Sequence, residues 1–364
     1  MRRVKVAGYA GKNLLKWIEI DLRAIRSNLN RILAEADHTK IMAVLKADAY
    51  GHGLVSVAQE AENAGISYLG VLTLEEARNL RRAKISRPIC LMAPILPRMA
   101  EEAVKFKISA TVDHLDQIRA LNAKASLSSP VSIHVDLDFG LGRWGISPGS
   151  LNSFLERLKR FKKIQLQGLS AHIDYIAGKN AVEAEEKLRD FNRIAQRLKK
   201  KYPGLISHAA NSSVFLDFPH WRMDMARIGN LIYGINAAKS RNFPLENPWH
   251  FKARIIHIRS ISAGESVGYA SAYVSPRKMK AATLLVGYSD GVTMEPAERL
   301  IRFGSGFEYW GIMGKVKTPF IGGCGISHLL VDVSRVPRVK IGDAVTLPVR
   351  RTAAHSQIPR VYVS

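Results

Sequence analysis

From Trp17 to about Asn242 short apolar runs alternate with longer amphipathic stretches, and no other property constrains the fold as tightly. The runs are WIEI, KIMAVLK, YLGVL, PICLM, SATV, VSIHVDLD, IQLQGLSAHI, ISHAA and MDMARIG. Between them lie segments such as LRAIRSNLNRILAEA, TLEEARNLRRA and VEAEEKLRDFNRIAQRLKKK, with apolar residues recurring at three and four. Continuous apolar runs suit strands buried on both faces, and the three-four spacing suits the helices that cover them. The expected fold is α/β, an N-terminal (β/α)8 TIM-like barrel, although an open doubly wound sheet satisfies the same pattern. After FPLENPW the texture changes: FKARIIHIRSI, AATLLVGY, HLLVDVS and DAVTLPV lack long helical partners, so a mostly β C-terminal domain follows. The boundaries read from this are a basic extension at 1–16, the barrel at 17–244 and the β domain at 245–364.

Composition excludes several classes of function. No stretch approaches the roughly 18 uninterrupted apolar residues of a membrane span, and the basic start MRRVKVAGYAGKNLLKW lacks a secretory apolar core, so a cytoplasmic protein is expected. Cys90 and Cys324 are the two cysteines, too far apart and too isolated for a zinc site or a disulfide framework; Cys90, within PICLMAPIL, reads as a buried, inert thiol. The formal charge of +23 invites a nucleic-acid hypothesis. Its distribution argues against one: ARNLRRAKISR, RLKRFKK, RLKKKYP and PRKMK are scattered along helix-like stretches, whose outer faces are ordinarily charged.

Chemistry enters with IMAVLKADAYGHG, where an apolar strand delivers Lys46 at its carboxyl end and Tyr50, Gly51, His52 and Gly53 follow in a loop. In parallel barrels that end carries the active site, and a desolvated lysine there becomes a nucleophile or base. A solvated lysine ending a strand fits the same position. The stretch closely resembles the cofactor-lysine signature of alanine racemases, the barrel-type pyridoxal-phosphate enzymes. WIEIDLRAIRSNL, HVDLDFGLGRWG, GLSAHID, SHAANSS, MARIGNLIYG, ESVGYASAY and LLVGYSDG follow in that family's order, so the resemblance covers nearly the whole chain.

The resemblance implies a pyridoxal 5'-phosphate cofactor, a small amino-acid substrate with alanine foremost, and a role in supplying D-alanine for peptidoglycan precursors. Racemisation removes an α-proton from one face and returns one to the other, so it needs an electron sink and two opposed bases. By resemblance Lys46 holds the cofactor and serves one face, while Tyr269 serves the other from the β domain of a partner subunit, which implies a homodimer with shared sites. Arg227 faces the pyridine nitrogen, where a permanent cation disfavours protonation. His172 lies beside the ring and helps position Arg227. Tyr50, the Ser212 hydroxyl and backbone N–H groups at Gly229 and Asn230 hold the phosphate; Asn211 reads as a local backbone tie. Arg143, Tyr288 and the Ile326 N–H serve the substrate carboxylate and the entrance. On residues alone, Tyr269 suits packing, Arg227 a strand-end ion pair and His172 a satisfied core histidine.

Three departures from the family pattern stand out. Asp136 occupies the place where many relatives carry a carbamylated lysine, and a carboxylate there suits either anchoring Arg143 or a purely structural role. Gly325, Ile326 and Ser327 replace a Cys-Met-Asp segment, so an entrance charge is lost. The tail lacks the stretch in which relatives carry another phosphate-binding tyrosine; Tyr362 does not replace it, and either cofactor binding weakens or Arg350 and Arg351 compensate. Alternative functions are a barrel-type amino-acid decarboxylase and a catalytically reduced or regulatory cofactor-binding homologue.

Overall fold

A computed structural model describes residues 13–238, 242–268, 271, 273–292, 309–349, 351 and 354–364. The chain divides into two compact units, Arg23–Asn247 and a second made of Met1–Leu22 with Pro248–Ser364.

The unit Arg23–Asn247 is a parallel eight-stranded barrel. Its strands are β2 (Lys40–Val44), β3 (Tyr68–Val71), β4 (Ile89–Pro94), β5 (Ile108–Val112), β6 (Val131–Leu137), β7 (Ile164–Ala171), β8 (Ile206–His208) and β9 (Met225–Ile228), hydrogen-bonded in the order β8-β7-β6-β5-β4-β3-β2-β9. Asp224 N–H donates to Ser207 O and Arg227 N–H to Ala210 O, at 3.2 and 2.9 Å, and so joins the last strand to β8. Helices such as Leu54–Asn63, Leu74–Arg82 and Ala181–Lys199 cover the strands. Alternation along each strand sorts two sets of side chains. Ile41 and Ala43 join the large cluster beneath the helices, whereas Met42 packs with Tyr68, Cys90, Ile206, Met225 and Met92 in a separate apolar cluster. Burial pushes the Cys90 thiol up to about 12, consistent with an inert packing residue.

The other unit is built of antiparallel strands. Its axis is β10 (Trp249–Ile261), which pairs with Ala344–Leu347 and Met279–Leu284; the latter continues through Leu329–Asp332, Val316–Ile321 and Trp310–Met313 back to Ala344–Leu347, so six strands form a closed ring. An irregularity between Ile255 and His257 lets β10 change partners along its length.

One expectation is corrected here. The run WIEI does not open the barrel: as β1 (Lys16–Asp21) it pairs antiparallel with β10 and parallel with the terminal strand Arg360–Val363. Ile18 and Ile20 bury their side chains in the core of the β unit. Tyr362 lies opposite Ile20 in that parallel pair, which gives the terminal motif a structural partner.

Candidate active site

Lys46 begins one turn of unusual backbone. Where a loop was expected, Ala47, Asp48, Ala49 and Tyr50 adopt φ of 53, 54, 53 and 55°, a left-handed helical turn of four non-glycine residues. Such backbone costs roughly 1–2 kcal/mol per residue, so surrounding contacts must impose it. The His52 ring donates from Nδ1 to Ala49 O and Tyr50 O at 2.9 and 3.0 Å and stacks on Tyr233 at 4.6 Å; the Tyr233 hydroxyl donates to Val44 O at 2.9 Å. Asp48 accepts from Leu54 N–H at 2.8 Å, tying the turn to the next helix. Replacing exposed Ala47 with glycine is therefore expected to stabilise the protein by up to about 1 kcal/mol, because relief of the left-handed strain exceeds glycine's entropic cost. Denaturant melts of Ala47→Gly check this, and a loss of stability would show that no strain resides there.

The turn aims Lys46 into a cavity of about 560 Å3 at the carboxyl ends of the barrel strands. Tyr50, Asp136, Arg143, His172, Ser212, Arg227, Gly229 and Asn230 line the same cavity, so nine residues singled out from sequence converge on one space. Burial, then Arg143 and Arg227, lowers the Lys46 pKa, which raises the fraction of free amine near neutrality. His172 follows β7; burial, then Arg227, Arg143 and Lys46, pushes it down to about 3, so its imidazole is neutral.

Arg227 is buried and makes no strand-end ion pair among the described residues. Its guanidinium donates to Ala171 O at 2.7 Å, to His208 O, and to His208 Nδ1 at 2.8 Å. Asp136, also buried, accepts a short hydrogen bond from the Ser170 hydroxyl, and burial raises its pKa. No hydrogen bond or ion pair joins Asp136 to Arg143, so the expected anchor reaches Arg143 only as a field; the guanidinium lies instead 3.8 Å from the centroid of the Trp144 ring.

The lower end of the cavity is built for an anion. Gly229 N–H donates to Ser212 Oγ at 3.1 Å, which leaves the Ser212 O–H to point elsewhere. A Cβ on Gly229 would stand 2.6 Å from the Tyr50 hydroxyl oxygen, so glycine lets the hydroxyl approach the backbone there. Asn211 accepts from Ser213 and Val214 N–H, both at 3.0 Å, and is a helix cap. Three cations, a neutral imidazole and a hydroxyl–amide cradle fit a planar, phosphate-bearing carbonyl compound that a lysine holds covalently.

Two family models cover the chain: one described as "Alanine racemase, N-terminal domain" matches residues 20–237 and one described as "Alanine racemase, C-terminal domain" matches 249–360. The chain belongs to the alanine racemase family. It is 32% identical to the alanine racemase of Desulfovibrio desulfuricans, over 95% of this chain and 98% of that protein, and 31% identical to that of Halothermothrix orenii, over 91% and 86%. Among solved structures it is similar to the alanine racemase of Clostridium difficile 630, with a TM-score of 0.84, 27% identity and 96% of both chains covered. The Bacillus anthracis alanine racemase, solved with bound L-Ala-P, matches with a TM-score of 0.78 at 27% identity over 96% of this chain and 95% of that one. Alanine racemases are pyridoxal 5'-phosphate-dependent isomerases.

Tyr269 and Arg350 lie outside the described residues. Tyr288 and Ile326 lie in the β unit, both exposed, where Tyr288 N–H donates to Gly325 O and Ser289 N–H to Ile326 O, each at 3.1 Å. Arg351 is partly buried. The sequence reading passed over His134, Ser170, His208 and Trp144. Period-two alternation carried a usable signal for one of them, since His134 shares a face of β6 with Asp136.

Proposed function

We propose that this protein is a pyridoxal 5'-phosphate-dependent amino-acid racemase acting on alanine, with Lys46 and Tyr269 as opposed bases and each site completed by Tyr269 of a second copy. The observation that carries the reading is the convergence of Lys46, Arg227, His172 and the Ser212–Gly229–Tyr50 cradle on one cavity. Lys46, Tyr50, Ser212 and Asn230 would hold the cofactor, which when bound supplies a sink for the electrons left behind as the α-proton departs. The Lys46 amine, kept partly neutral by burial and two arginines, takes or returns a proton at Nζ. Arg227, with both terminal nitrogens bonded to fixed acceptors, presents a permanent cation that disfavours a second positive charge beside it. Arg143, over Trp144, pairs with no carboxylate among the described residues and suits a substrate carboxylate. A D-alanine role in peptidoglycan supply and a cytoplasmic location go with this reading.

The test is loss of optical rotation when cofactor-loaded protein is incubated with single L-amino acids. Alanine is expected to react fastest; carbon dioxide release without racemisation would favour the decarboxylase reading. Shared sites make a sharper demand. Lys46→Ala and Tyr269→Phe proteins, each inactive, should on equal mixing recover about a quarter of native activity, because half the dimers are hybrids with one intact site of two. No recovery after confirmed subunit exchange would remove the shared-site proposal.

A further inference from the structure

Below the cavity a line of polar side chains, led by the buried rings of His208 and His134 and ending in the half-buried Gln167 and Ser109, takes no part in the chemistry assigned above. His208 Nε2 lies 2.7 Å from His134 Nδ1, His134 Nε2 lies 3.3 Å from Gln167 Oε1, and the Ser109 hydroxyl donates to the same Gln167 oxygen at 3.2 Å. With Arg227 at its head the line crosses strands β9, β8, β6, β7 and β5.

We infer, resting on the proposed function and on the family resemblance that sets Arg227 against a pyridine nitrogen, that His134 is a positioning residue that holds Arg227 through His208. The direction of every hydrogen bond follows from the first. A guanidinium has donors and no acceptor, so His208 Nδ1 must accept, and a neutral His208 carries its proton on Nε2. That proton needs an acceptor, so His134 Nδ1 is unprotonated and His134 carries its own proton on Nε2. Gln167 offers only its carbonyl oxygen at that place, which fits. Each ring is thereby limited to one tautomer, and the Arg227 N–H that meets His208 has one orientation. Protonating either ring would set two donors against each other in a dry site. Burial accordingly pushes His134 down to about 4 and holds His208 well below the ordinary histidine value.

The backbone makes room for this contact in two places. The β6–β7 register shifts between Ile133 and His134, and a Cβ on Gly168 would stand 2.1 Å from His134 Nδ1. A histidine kept only to fill space would need neither accommodation, since Leu or Met fills a core without donors or acceptors.

Three proteins decide the matter: native, His134→Leu and His134→Gln, full length, labelled with 15N in histidine rings and studied with and without pyridoxal phosphate. In the native protein both His134 and His208 are expected as Nε2–H tautomers with Nδ1 unprotonated. His134→Leu strands the His208 Nε2–H without an acceptor, so the ring should turn away from Arg227 and, released from that donor, show mixed tautomers, and racemisation by the loaded enzyme should lose roughly ten- to a hundredfold in kcat with KM little changed. The visible absorbance of the bound cofactor should shift as well. His134→Gln, which restores a carbonyl acceptor, should recover most of both. A native His208 protonated on Nδ1, or a folded His134→Leu protein with unaltered His208 tautomer and kcat, overturns the inference. If His134→Leu fails to fold, the native spectrum and His134→Gln still decide it. If the native enzyme racemises nothing, the function proposed above fails while the ring spectra judge the hydrogen-bonded line independently.

Discussion

Lys46→Ala is expected to lower racemisation by at least about a thousandfold, because in the proposed function Lys46 is both the covalent anchor and the base on one face. Borohydride reduction of the cofactor-loaded native protein should attach the pyridoxyl group to Lys46, and peptide mapping reads the site directly. The variant should remain folded. Lys46 is partly buried beside Arg143 and Arg227, and the nearby Tyr50 ring centroid is 5.8 Å from its Nζ, so deletion removes like-charge repulsion that outweighs the attraction of Glu76. Thermal melting of the cofactor-free variant should therefore match or exceed the native value. Label on another lysine, or racemisation retained within tenfold, would remove Lys46 from the mechanism.

Stability is expected to fall steeply between pH 6.5 and 5. His134 and His172 are held at about 4 and about 3, and His208 well below the ordinary histidine value, in each case chiefly by burial. In the unfolded chain all three titrate near 6.5, so below that pH the unfolded state binds protons that the folded state refuses. Their contribution is fully present above 6.5 and is lost as pH falls toward the folded values. Each histidine contributes a slope of at most about 1.4 kcal/mol per pH unit, so the three together approach 5 kcal/mol by pH 5, a large share of the roughly 5–15 kcal/mol that holds a typical domain. Asp136 works the other way: burial raises its pKa, so acid protonates it more readily in the folded chain and offsets part of the slope. Carboxylates with depressed values, such as Asp224 and Asp174, add their losses only at lower pH. Denaturant melts at pH 7, 6 and 5 give the number of protons taken up on unfolding, expected between two and three. A flat profile would mean that these rings are already protonated in the native protein.

Much of this was legible before any coordinates. Fully apolar runs such as KIMAV and the three-four pattern of the helices specify a parallel barrel because each strand must be buried on both faces, and that requirement is local to the chain. Lys46 was legible for the same reason: a strand's polarity fixes which end carries it, and the motif around it names the chemistry. WIEI misled because an apolar strand signals burial without naming its partner, and β1 finds its partners more than two hundred residues away in β10 and in Arg360–Val363. The left-handed turn after Lys46 was equally hidden. No glycine marks Ala47 to Tyr50, and the conformation exists because His52, Tyr233 and Leu54 hold it.

The sequence by itself determined the repeat, the two-part organisation, the family and the identity of nine of the residues that line the cavity. Only the tertiary structure decided what each of them touches: that Asp136 meets Ser170 instead of Arg143, that Gly229 N–H is spent on Ser212, and that Arg227 is fixed through His208 and His134. Hydrogen bonds depend on tenths of an ångström between atoms far apart in the chain, and local patterning, which acts over a few residues, carries no information at that range.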